Sequence, residues 1–261
     1  MGHVRLGKLS KSRPWREVID LLDAPTVSAP AVAAALVDAG QDRLRQLRGD
    51  PSLAYSYWLL TRIAAASRSS DFDAAVRQFG LTAPPGTPVL SFLAQVISKL
   101  RERTAGFIDS GNSRELSLLA FQRALSETVG EYSPNFFRSS VEDLQAAFRS
   151  YSTTTRFGVL AHRFFTDYFA RTLQGLVDRE LALHAGPDFA IANIDQGNEF
   201  LSALDLYARQ SARIMQEFAE DWYSKYTWQT AGRITQQQAQ SFVAVALRKL
   251  SDELKTGDIK A

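Results

Sequence analysis

A chain of 261 residues, 45% hydrophobic and 22% charged, can bury a sizeable core and has the make-up of a folded globular protein. It has no cysteine, which excludes disulfides, thiolate metal sites and a cysteine nucleophile, and suits a cytoplasmic location. The net charge of +2 hides an uneven split: Arg5, Lys8, Lys11, Arg13 and Arg16 precede the first acid, Glu17, and the remaining 25 basic residues face 28 acidic ones.

Residues 1–13 read as a basic N-terminal arm, with no apolar signal-peptide core behind it. The longest apolar run, Ala29 to Val37, is too short and too Ala-rich to span a bilayer, so no membrane partner is expected. Pro14 fits the first turn of a helix carrying Trp15, Val18, Ile19 and Leu22. Ser28 and Pro30 open a second helix that runs to about Arg48. Asp50 with Pro51 is a strong start signal for a third, and Asp71 to Phe79 gives a fourth. GLTAPPGTP then breaks the pattern at residues 80–88, as a long turn or as a subdomain boundary.

Helices follow from Pro88 to about Ile108 and from a capping box at Asn112 and Glu115. Another starts from a second box at Ser139 and Glu142. The segment from Thr155 to Leu183 is the strongest in the chain. Phe157, Leu160, Phe164, Phe165, Tyr168, Phe169, Leu173, Leu176, Val177 and Leu181 gather on one face, with His162, Arg163, Thr166, Asp167 and Arg171 largely opposite. A face with five aromatic rings needs several partner helices, which makes this the centre of a bundle. Asp195 to Lys225 reads as a second long helix, and Thr235 to about Leu254 as the last, before a tail at 255–261. No alternating strand or fixed-period repeat is present. The expected fold is all-α, a bundle of nine to ten helices, with residues 14–254 as a single helical domain.

Motifs for chemistry are missing. There is no Walker loop, GxGxxG, Gly-x-Ser-x-Gly or HExxH, so no cofactor and no metal are expected. His162 lacks converging ligands and reads as structural. The acids Glu217, Glu220 and Asp221 have no Glu-x-x-His companion and read as a solvated face, as does the helix terminus at Glu253 and Lys255.

Two stretches stand out as contact regions. In the arm, Arg5, Lys8, Lys11, Arg13 and Arg16 alternate with Leu6, Leu9 and Trp15. That mixture admits docking into a groove or packing onto its own bundle, contact with nucleic-acid phosphates, or no fixed structure. Trp222, Tyr223, Tyr226 and Trp228, beside Lys225 and Arg233, admit base stacking, a protein contact or an aromatic plug at the bundle end. The expectation is therefore a non-enzymatic accessory or scaffold subunit that binds partner proteins in a larger complex. The alternative is a nucleic-acid-binding module using the arm and the 222–233 turn. Homo-oligomerisation stays open.

Overall fold

The computed structural model describes residues 12–107, 112–133, 135–229 and 233–256, without the side chains of Phe136, Arg179, Trp228 and residues 253–256. The arm residues Arg5, Leu6, Lys8, Leu9 and Lys11, and the end of the tail, lie outside the described residues. Among the described residues, twelve α-helices occur in chain order: α1 (Arg13–Leu22), α2 (Ala29–Ala39), α3 (Gln41–Leu47), α4 (Pro51–Ala66), α5 (Phe72–Arg77), α6 (Val89–Thr104), α7 (Ser113–Tyr132), α8 (Val141–Tyr151), α9 (Thr154–Leu183), α10 (Ile194–Ser211), α11 (Arg213–Gln229) and α12 (Gln236–Thr256). A 3-10 turn, Phe136–Arg138, joins α7 to α8. Among the described residues there is no strand. The expected all-α bundle is what forms, with α3 and α5 as short additions to ten longer helices.

The helix starts follow local chemistry. Asp50 accepts hydrogen bonds from the Ser52 and Leu53 amides at 3.0 and 2.9 Å, with Pro51 supplying no orphan donor. Thr235 and Gln238 form a reciprocal box before α12: Thr235 accepts from the Gln238 amide, and its own amide donates to Gln238 Oε1. The box expected at Ser139 and Glu142 falls one residue later. The Ser140 amide donates to Asp143 Oδ2 at 2.9 Å, while the Ser139 hydroxyl turns back to Ser133 and the Asn135 carbonyl. Asn112 does not cap α7 with its side chain; it enters with φ +61°, a left-handed turn that asparagine tolerates.

Two expected helices are each split. Between α2 and α3, Gly40 comes so close to the central helix that an added Cβ would stand 2.7 Å from Leu173 Cδ2. Between α10 and α11 the break is at Ala212, with neither glycine nor proline. The Ala212 amide closes α10 on Ala208, and Met215 turns back to the Ala212 carbonyl at 2.9 Å, a three-residue step that re-aims the chain.

α9 is the axis of the molecule. Phe157, Phe164, Phe165, Tyr168 and Phe169 are all essentially fully buried. The helix packs most extensively on α11 and α7, and also on α10, α8 and α2. Gly158 is what lets α11 approach: a Cβ there would meet Glu220 Cγ at 2.4 Å and the Gln216 carbonyl oxygen at 2.8 Å. α4 lies against α12 and α7. Gln145 and Arg149 of α8 close its C-terminal end by donating to the carbonyls of Ser67 and Ser69. The 80–88 loop is stitched to the start of α8, because the Val89 amide donates to Ser139 and the Val141 amide to Thr87. Leu81 and Ala83 are buried, and the hydrophobic core runs continuously on both sides of this loop.

Candidate functional site

The first two rings of the aromatic stretch face inward. Trp222 is 7% and Tyr223 1% exposed. Tyr223 stacks on Phe157 with centroids 3.8 Å apart, and Trp222 lies 4.7 Å from Phe242 and 5.7 Å from Tyr57. Phe242 is itself stacked between Tyr57 at 4.6 Å and Phe218 at 4.8 Å. Helices α4, α9, α11 and α12 thus share one plug of rings. Burial lifts the Tyr57 phenol well above its ordinary pKa, with Tyr223 adding to the effect, and burial also raises Tyr223. Of the readings open for this stretch, the aromatic plug fits these two rings: Tyr223 packs on α9, and Trp222 on α4 and α12. Tyr226 is half-buried against Trp222, Lys225 is exposed beside it, and the side chain of Trp228 lies outside the described residues.

Trp15, 6% exposed, belongs to the core and anchors α1, while the cations Arg13 and Arg16 are exposed beside Glu17 and Asp20. Arg233, also exposed, adjoins Ile234, whose carbonyl accepts from Trp58 Nε1 of α4 at 2.9 Å.

The candidates for chemistry are spread over separate places. His162 contacts the Arg209 carbonyl at 3.0 Å and Thr166 at 3.4 Å through Nε2, which ties α9 to the end of α10. Asp167, placed on the polar face of α9 by the periodicity, is buried. It accepts from Arg123 of α7 at 2.8 Å and Arg171 at 2.5 Å, a structural ion pair across two helices. Glu217 and Asp221 are exposed, and Glu220 accepts from Gln216 at 3.3 Å. Among the described residues, no three His, Asp or Glu side chains gather as a metal site, and no helix is long and apolar enough to cross a membrane.

What the periodicity missed is the outer face of α10. Its inner face, Phe200, Leu204 and Ala208, is buried, yet Ile194 is 81%, Leu201 41% and Leu206 52% exposed. Ile194 and Leu201 are two turns apart and share one edge of the outward arc, with Leu206 near its centre, opposite Leu204. Asp195, Glu199 and Asp205 occupy the same arc, and Asp205 pairs with Arg209 at 2.9 Å. The loop before α10 doubles back, the Gly186 amide donating to the Ile191 carbonyl, and Leu183, 60% exposed, ends α9 just before it. The signal was present in the sequence: three large aliphatics fall out of phase with the Phe200 face. No family model, no curated protein and no solved structure matches this chain.

Proposed function

We propose that this chain is a non-enzymatic helical accessory subunit that binds a partner protein through the outer face of α10, with the basic arm as a second contact. The observation that carries the reading is Ile194, Leu201 and Leu206 exposed among Asp195, Glu199 and Asp205. Large aliphatics held out of a well-packed core, ringed by charge, are the make-up of an interface. The acids define the partner's chemistry as an amphipathic segment with apolar anchors and basic flanks. A second copy meeting the same face across a two-fold axis would set acids against acids, which favours a different protein.

The test is affinity purification of the tagged full chain from its native cells, beside Ile194→Glu/Leu201→Glu and a truncation of residues 1–11. The truncation stops before Arg13 because α1 begins there. All three proteins should keep the same helical circular dichroism. A partner retained by the wild type and lost with the glutamates supports the proposal, and a partner set identical in all three removes it.

A further inference from the structure

Two stretches of the chain hold acids but no lysine or arginine: residues 17–42, with five acids, and 180–208, with five more. They supply most of α1, α2 and α10, and α2 packs on both of the others. The Ala190 amide donates to the Leu22 carbonyl at 2.9 Å, and His184 stands 3.4 Å from Asp23. These contacts tie the lead-in of α10 to the end of α1. Asp188, Asp195 and Glu199 are exposed, and among the described residues none of the three is in an ion pair. Leu183, Ile194 and Leu201 place exposed apolar surface beside them. The arm is the complement of this sector. Residues 1–11 carry Arg5, Lys8 and Lys11 with no acid, and Val4, Leu6 and Leu9 between and before them. The arm ends where α1 begins. A ten-residue helix is about 15 Å long, whereas eleven extended residues span up to ~36 Å. The arm can therefore run back along α1 to the lead-in of α10.

We propose that residues 1–11 dock on the α10 face of their own chain. Leu6 and Leu9 cover Leu183 and Ile194, and Arg5, Lys8 and Lys11 meet Asp188, Asp195 and Glu199. The proposal rests on the α10 face being a docking surface, and it names the segment that covers that face in the free chain. Attachment to α1 sets an effective concentration on the order of millimolar, so a weak contact is enough to populate the covered form. A partner must then displace the arm, which lowers its apparent affinity by the covered fraction. Once displaced, the arm is released to serve as the second contact.

The chain has no cysteine, so Gly7→Cys in the full chain takes a single nitroxide label. In the ¹⁵N-labelled protein at low ionic strength, amide signals of Leu183 and of Ile194 to Leu201 should lose about half their intensity or more, relative to the reduced label. Adding Leu6→Asp/Leu9→Asp should restore that intensity, and Asp195→Lys/Glu199→Lys, at two exposed positions, should restore most of it. The proposal is overturned if intensity is lost only around α1 or on another face, or if Leu6→Asp/Leu9→Asp leaves the loss unchanged. Equal broadening of an unlabelled ¹⁵N chain by an added nitroxide chain also overturns it, because the contact then belongs to a second copy. No partner enters this measurement, so it fails separately from the partner proposal. A captured partner with no arm contact removes this inference alone, and an arm seated on a face that captures nothing removes the partner proposal alone.

Discussion

Replacing Gly158 by alanine places a methyl group where α9 and α11 touch. It would stand 2.4 Å from Glu220 Cγ, 2.7 Å from Glu220 Oε1 and 2.8 Å from the Gln216 carbonyl oxygen. The glutamate can rotate away, at the loss of its 3.3 Å hydrogen bond from Gln216. The carbonyl is helix backbone and cannot. A carbon–oxygen contact needs about 3.3 Å, so the two helices must part by roughly half an ångström along the broadest contact in the bundle. Alanine gains about 1 kcal/mol of helix propensity over glycine, while overpacking costs about 1–3 kcal/mol. With loss of the Gln216–Glu220 hydrogen bond adding about 0.5–1.5 kcal/mol, the expected balance is a loss of about 0.5–3.5 kcal/mol, or a fall in Tm of roughly 2–10 °C. Gly175, on the same helix, has nothing within 4 Å of an added Cβ. There the propensity acts alone, and Gly175→Ala should raise Tm by roughly 2–4 °C. Circular dichroism melts of the two variants measure this. A Gly158→Ala protein as stable as the wild type, or a Gly175→Ala protein that falls with it, refutes the close approach of α11.

Asp167→Ala leaves Arg123 and Arg171 facing each other without their buried carboxylate. Both arginines keep partial contact with water, so the urea midpoint should show a loss of about 1–2 kcal/mol, with Asp167→Asn losing less. Hydrogen bonds from Arg163 and from the Tyr151 hydroxyl hold Glu131 below its ordinary pKa of 4.5. A depressed carboxylate contributes stability that is present above pH 4.5 and lost as pH falls through its lower folded value. Glu131→Gln should therefore flatten the acid side of the stability–pH curve, and an unchanged slope would exclude this pair as its source. The Tyr57 hydroxyl is buried with no hydrogen-bond partner among the described residues, so Tyr57→Phe should be neutral or stabilising by a few tenths of a kcal/mol, ~0.5 at most. Because Tyr57 and Tyr223 are raised, their stability is present below pH 10 and lost above it. In an ultraviolet titration, Tyr57→Phe and Tyr223→Phe should each remove one phenol that ionises above the ordinary range.

The parts of this fold that could be read from sequence are those governed by neighbours along the chain. The apolar period of α9 placed all five rings in the core, and Asp50 with Pro51 marked the start of α4 because a cap acts within three residues. The break at Ala212 was invisible because the apolar step continues through Ile214, Phe218 and Trp222, and neither glycine nor proline punctuates it. Asp167 looked solvent-facing because its partner Arg123 lies 44 residues upstream on another helix. Trp222 and Tyr223 could be read as a surface or as a plug because four rings exceed one helical face; the rings of α4, α9 and α12 that enclose them are far away in the chain. The same blindness hid the α10 face, whose exposure depends on α2 and α9 covering only the opposite side.

Hydrogen exchange on the free chain and on its purified native assembly bears most directly on the claim that the rings are core and α10 is the docking face. Amides of α9 around Phe157 to Val177 should exchange slowest in both samples, while those from Leu183 to Leu206 gain protection only in the assembly. An assembly that leaves Ile194 to Leu206 exchanging as in the free chain, with new protection elsewhere, would contradict it.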